Sequence, residues 1–242
     1  MRPADPSAGG AFEATEELFD RAQEYDAMLH QGLNLSGEDK TFFQRGRLAD
    51  LEARLPAGFR PGKVLDFGCG LGDTTALLAE LFPKAEIVGS DTSEAALEHA
   101  RQVQEDPRLS FVQLEELPAD GSFDLAYVNG VFHHIPPEQR HRACRLIFDG
   151  LAPGGYFAFF ENNPWNPGTR AVMRRIPFDR DAQTLSPPES RRLLAGSGFE
   201  LPDRTRFLFY FPRLLAFLRP LEVALVHLPL GAQYFLLASR PL

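Results

Sequence analysis

A buried strand that ends at three glycines on alternate positions constrains this chain more than any other feature. Val64-Leu65-Asp66-Phe67-Gly68-Cys69-Gly70-Leu71-Gly72-Asp73 reads as a strand, a tight bend and then the start of a helix. Glycine has no Cβ, so its backbone can take positive φ and lie directly against a ligand. Amides at the start of the following helix offer donors to a carboxylate or phosphate. The unit therefore suggests an α/β domain with a nucleotide-like ligand at its strand ends.

From Lys63 onward, strand and helix patterns alternate, as they do in parallel sheets. Strands are expected at Lys63–Phe67, Glu86–Ser90, Leu109–Leu114, Phe123–Asn129 and Tyr156–Glu161. Helices are expected through Thr74–Phe82, from the Ser93 cap to about Val103, and from Pro137 to Leu151, closed by Pro153-Gly154-Gly155. Right-handed crossovers place them on both faces of the sheet. Residues 162–188 hold many turn formers and no clean period, which predicts a lid-like insertion. A helix at Glu189–Ala195 follows, then strands Thr205–Phe211 and Gln233–Ser239 joined by a helical stretch, Arg213–His227. Residues 1–11 read as a flexible tail, 12–60 as a helical cap, and 61–242 as the core.

The balance of 33 acidic against 25 basic side chains leaves a net charge of −8. That argues against non-specific nucleic-acid binding, which depends on neutralising phosphates. Two cysteines, Cys69 and Cys144, make neither a disulfide framework nor a metal-ligand spacing. The expectation is thus a reduced, cytoplasmic protein with no bound metal. Apolar runs at 207–211 and 223–226 are interrupted by Pro212, Arg213, Arg219, Pro220 and Glu222. They are too short to span a bilayer, although peripheral contact through Pro212–Pro229 stays open. The oligomeric state is also open.

The glycine spacing discriminates between ligands. A dinucleotide-binding turn follows G-x-G-x-x-G, whereas this one runs G-x-G-x-G with Asp66 on its approach. An acid beside a pyrophosphate repels it. An acid beside an α-ammonium attracts it, by roughly 1.5–3 kcal/mol when close and hydrogen-bonded. S-adenosylmethionine carries that ammonium and a sulfonium, with no phosphate. Asp91, at the end of the second strand, can accept both ribose hydroxyls.

With these features the chain resembles the class I S-adenosylmethionine-dependent methyltransferases of the small-molecule type. The resemblance is carried by 64–72, by Ile87-Val-Gly-Ser-Asp-Thr-Ser93, by 123–135 and by Leu151-Ala-Pro-Gly-Gly-Tyr156. It implies a Rossmann-like seven-stranded sheet whose last strand inserts antiparallel, with helices on both faces and an N-terminal helical cap. It also implies that Asp66, Gly68, Cys69, Gly70 and Gly72 line the methionine moiety, that Asp91 and Thr92 serve the ribose, and that Asn129 sits by the methionyl end. Gln113 stands where such enzymes often carry an acid for the adenine amine; its amide oxygen and the Leu114 backbone can still reach the ring.

Ahead of the core, Phe19 to Tyr25-Asp26 matches an F-x-x-x-x-x-Y-D pattern of quinone-type methyltransferases. Tyr25 could close its ring over the sulfonium or simply pack within the cap. Arg47 could pair with the cofactor carboxylate or belong to a surface ion pair, with Arg45 as its rival.

His133 and His134, directly after the fourth strand, are the candidate general bases, His134 slightly favoured. Either could instead hold a backbone carbonyl. Phe132, Glu161, Asn162, Trp165 and Arg170 are the candidate acceptor-binding residues. The alternative for the Asn-Pro-Trp-Asn-Pro stretch is a rigid turn whose amides satisfy their own backbone. Phe42, Phe43, Phe132, Phe207, Phe209 and Phe211 all fall in segments expected near the cleft. The function read from the sequence is methyl transfer to a small-molecule hydroxyl, aromatic, glycosidic or lipid-like. Nitrogen or carbon methylation, or cofactor binding without transfer, are the alternatives.

Overall fold

The computed structural model describes residues 36–176, 179 and 182–242. The tail, most of the cap and Tyr25 therefore lie outside the described residues. Seven strands form one sheet: β1 Lys63–Phe67, β2 Glu86–Asp91, β3 Leu109–Gln113, β4 Phe123–Asn129, β5 Leu151–Asn162, β6 Arg206–Leu208 and β7 Gln233–Ser239. Their order is β3-β2-β1-β4-β5-β7-β6. The first five are parallel, while β7 runs antiparallel to both β5 and β6. The expected antiparallel last strand is present.

Helices α1 Lys40–Arg54, α2 Asp73–Leu81, α3 Glu94–Val103, α4 Arg140–Gly150, α5 Pro167–Met173, α6 Pro187–Gly196 and α7 Glu222–Leu225 cover the sheet and its C-terminal end. The central strands β1 and β4 are buried almost throughout, as helices on both faces require. Ser93 caps α3 as expected, its hydroxyl accepting from the Ala96 amide at 3.2 Å.

Three departures from expectation have a local reason. Pro153-Gly154-Gly155 does not close a helix; it loops out inside β5, shifting the register between Phe123 and Leu125 with Gly154 at φ 79°. The insertion contains a regular helix, α5, begun by Asn166 accepting from the Thr169 amide at 2.9 Å and by Pro167 in its first turn. The strand expected to reach Phe211 stops at Leu208, because Phe209 adopts φ 62°. Few bulky residues tolerate that conformation. It turns the chain away from the sheet toward the strand ends.

Arg213–Leu221 forms a 3-10 segment that Arg219 ties to the start of α1, bonding Glu38 just ahead of it at 2.7 Å and stacking over Phe42 in its first turn at 4.4 Å. Its outer face exposes Leu214, Phe217 and Leu221. Among the described residues, no helix is long and apolar enough to cross a membrane.

Candidate active site

The strand order reverses between β1 and β4, and ligands of open α/β sheets collect outside the carboxyl ends of such strands. The glycine turn after β1 is shaped for this place. Gly68 and Cys69 both donate to the Ser90 carbonyl, at 2.7 and 2.9 Å, which curls the turn against β2. Gly68, Gly70 and Gly72 have φ of 75°, 53° and 81°. A Cβ on Gly68 would lie 2.4 Å from Val131, and one on Gly72 would lie 2.9 Å from Phe111. At Gly70 there is open space instead: nothing lies within 4 Å of a Cβ there. Two of the glycines serve packing and the middle one faces the cleft.

A cavity of about 600 Å³ opens over this turn, bounded by α1, the ends of β1 and β4, α5 and the stretch from Phe209 to Pro212. Asp66, Gly68, Cys69, Gly70, Asn129, Arg47, His133, His134 and Asn162 all reach it. Asp66 is 2% exposed and accepts from the Thr75 hydroxyl at 2.7 Å. Burial, reinforced by Asp91, pushes its carboxyl up to about 7. Asn129 ends β4 with its side-chain oxygen buried and without a partner among the described residues. A buried acceptor without a donor is costly. An ammonium in the cavity would satisfy Asn129 and stabilise ionised Asp66 together, so these residues fit the amino-acid end of S-adenosylmethionine. Arg47 is buried, giving Nε to the Tyr127 hydroxyl and Nη1 to Gln233, each at 3.0 Å. This pins the guanidinium at the cavity wall, where a carboxylate can meet it. Arg45, its rival, instead points to Glu80 on the exposed side.

Asp66→Asn should separate stability from binding. The unfolded carboxyl ionises near 3.8 but the folded one only near 7, so a folding penalty accumulates between those values and is complete above them. At pH 8 the cofactor-free variant should be more stable by about 2–4 kcal/mol. Its affinity for S-adenosylmethionine should fall roughly 10–100-fold. Urea unfolding and calorimetry measure the two, and an unchanged affinity would remove Asp66 from the site.

Asp91, Thr92, Gln113 and Leu114 do not line this cavity. Asp91 and Gln113 are neighbours at the ends of β2 and β3, on the opposite side of the glycine turn. The Asp91 carboxylate accepts the Gly70 amide at 2.9 Å and the Ser93 amide at 3.0 Å, clamping the turn to β2. Its oxygens retain further acceptor capacity. Gln113 donates to Glu94 at 2.5 Å, so its amide is engaged by α3, and Leu114 is buried in the core.

The histidine pair follows β4. His133 is buried, with Nδ1 at 2.6 Å from Glu161 and Nε2 at 3.3 Å from Asp179. Burial opposes its charge, yet the Glu161 and Asp179 carboxylates outweigh it and raise the imidazole to about 10. With both nitrogens engaged and a proton held this tightly, His133 is unsuited to be a base. His134 differs. It is partly exposed to the cavity, with Nε2 at 3.3 Å from the same Asp179 oxygen. Burial and the neighbouring His133 charge lower its pKa, which keeps it neutral and able to accept a proton. Asp179 itself is pushed down to about 2 by both histidines against the effect of burial.

Four of the expected acceptor-binding residues stand away from the cavity. Glu161 is 1% exposed and faces away from the cavity, accepting the amides of Phe132 at 2.8 Å and Asn162 at 3.1 Å besides His133. Phe132 is wholly buried against Phe67 and Phe159. Trp165 is 49% exposed and Arg170 points to solvent; neither lines the cavity. The asparagines around Trp165 mainly satisfy backbone, Asn163 donating to Pro229 and Gly231 and Asn166 to Leu230. Asn162 and Asn166 of that stretch reach the cavity, the Asn162 oxygen taken by Gln233 at 3.2 Å.

The apolar wall comes from elsewhere. Phe42, Phe43, Phe209 and Phe211 line it together with Met173 and Ile176. Phe43 and Phe209 meet edge-on at 4.9 Å. Phe209 is seated on Gly46, where an added Cβ would fall 2.6 Å from its ring. Gly46→Ala should push that ring into the cavity and raise an acceptor's KM about tenfold, by roughly 1.4 kcal/mol. Cofactor affinity should stay unchanged in calorimetry; a joint loss would mean α1 itself had moved. Asp179 escaped the sequence reading because no motif or period marks it.

Residues 64–155 match the family described as Methyltransferase domain. The chain is 41% identical over 110 residues to trans-aconitate 2-methyltransferase of Deinococcus radiodurans, covering 45% of this chain and 41% of that one. Against the enzyme of the same name from Methylobacterium nodulans it is 34% identical over 162 residues, covering 65% and 56%. The chain thus spans about half the length of the curated relatives it matches. Among solved structures, a Thermotoga maritima S-adenosylmethionine-dependent methyltransferase, titled a possible histamine N-methyltransferase, superposes with a TM-score of 0.64 at 20% identity, covering 94% of this chain and all of that one. By the domain matched over residues 64–155 and by its sheet order, this chain has the fold of the S-adenosylmethionine-dependent methyltransferases it resembles.

Proposed function

We propose that this chain transfers a methyl group to an oxygen atom of a small, largely apolar acceptor. The observation that carries the reading is one cavity lined by two unlike sets of residues. Gly70, Asp66, Asn129 and Arg47 suit the cofactor's amino-acid moiety, while His134 and Asp179 share the cavity with Phe42, Phe43, Phe209 and Phe211. When bound, the cofactor supplies an activated methyl on sulfur. The chain's own work is to orient the acceptor, exclude water and remove the acceptor's proton. The aromatic wall supports the first two, and neutral His134 oriented by Asp179 supports the third.

A second reading is methyl esterification of a carboxylate, favoured by the names of the relatives and by the Arg47 guanidinium on the cavity wall. A carboxylate needs no base. Incubation with methyl-labelled cofactor and separate panels of phenols, apolar alcohols, amines and trans-aconitate distinguishes these readings. Label in phenols or alcohols is the expected result. Label only in trans-aconitate moves the acceptor to carboxylates, and label only in amines moves it to nitrogen. Tight cofactor binding with no labelled product in any panel would indicate a binding protein.

A further inference from the structure

We propose that His133, His134 and Asp179 form a binding site for one divalent transition cation of the zinc type. Their ligand atoms all lie within 4.8 Å of one another. The decisive observation is a contrast in distances around one imidazole. His133 Nδ1 meets Glu161 at 2.6 Å, a direct charge-assisted hydrogen bond. His133 Nε2 and His134 Nε2 each stand 3.3 Å from a single oxygen of Asp179. That is long for such a bond, but both distances match ligand-to-ligand edges of a tetrahedron. Bonds of about 2.0–2.1 Å to a central cation give edges of about 3.3–3.4 Å.

Glu161 supplies the independent second feature. A metal-bound histidine almost always donates its other ring N–H to a carboxylate, which fixes the tautomer and directs the lone pair at the ion. Glu161 does this to His133 Nδ1, leaving Nε2 as the ligand atom. It is held in turn by the amides of Phe132 and Asn162. The turn is braced further by Arg140, whose Nε donates to the carbonyls of Phe132 and Ile135. Two imidazoles and one carboxylate suit zinc, cobalt or iron rather than magnesium or calcium. Two negative charges, on Asp179 and Glu161, balance a divalent ion in this buried setting. No sequence spacing reveals the triad, because Asp179 comes from the far side of β5.

All three ligands also border the large cavity, so an ion there would turn its remaining coordination positions toward an incoming water or acceptor oxygen. It would lower the pKa of that oxygen's proton as a Lewis acid, with His134 as ligand in place of free base. This last step rests on the methyl-transfer reading, whereas metal binding does not.

The test uses the full chain, stripped with chelator and titrated with cobalt(II) and then zinc(II), without cofactor or acceptor. The expected result is about one equivalent bound by elemental analysis, with the strong visible bands of low-coordinate cobalt displaced by zinc. Asp179→Asn and His134→Gln should each weaken binding at least 100-fold, and Glu161→Gln about 10–100-fold. The wild-type titration stands even where a variant misfolds. Absence of a stoichiometric ion in the wild type, or binding that survives in folded Asp179→Asn, overturns the proposal.

Discussion

Replacing Glu161 with leucine should cost the fold about 3–5 kcal/mol, the penalty for stripping a buried charge of its partner. For a chain of this size that lowers Tm by about 6–20 °C. One carboxylate here holds three donors: the His133 imidazolium and the amides of Phe132 and Asn162. Leucine fills the space but leaves all three unsatisfied in a site that is 1% exposed. The dependence on pH identifies the mechanism. His133 titrates near 6.5 when unfolded and near 10 when folded, so its contribution is full below the first value and is lost as pH rises through the second. Wild-type stability should therefore fall between about pH 7 and 10, and this slope should be weak in the leucine variant. Urea unfolding across that range measures both. A variant with native stability and a raised acceptor KM would instead return Glu161 to the acceptor site.

Replacing His134 with alanine should lower turnover 10²–10⁴-fold while leaving S-adenosylmethionine affinity intact. The selectivity follows from position. His134 borders the cavity beside Asp179 on the turn after β4, whereas Asp66 and Arg47 come from β1 and α1. In the wild type, turnover should rise as pH passes through the lowered pKa of His134, below its usual 6.5, and be level by neutral pH. The same alanine removes a ligand of the proposed cation, so the cobalt titration separates the two roles. A metal-free wild type that keeps full turnover assigns the loss to the base. An alanine variant with undiminished turnover on the true acceptor would exclude both roles.

The glycine turn, the five parallel strands and the helices between them were legible in the sequence because each is a local matter. Alternating apolar runs, a serine cap and residues without a Cβ carry their consequences within a few positions. The expected β1, β4 and β7 spans coincide with those observed. The same local reading put Asp66, one before the last residue of β1, and Asn129, the last of β4, near the point where the sheet order reverses.

What only the tertiary structure decided depends on contacts between distant segments. Glu161 looked like an acceptor ligand because it ends a strand, but β5 lies beside β4, and that neighbour turns its carboxylate beneath His133. Phe209 belongs to a β-like run, yet its seat on Gly46 of α1 breaks the strand and places a ring in the cavity. Asp179 carries no local signal at all and acquires meaning only where the chain folds back onto the histidine pair. Local periodicity specifies elements and their faces; the partner of a buried charge is specified by packing, which a single linear pattern does not encode.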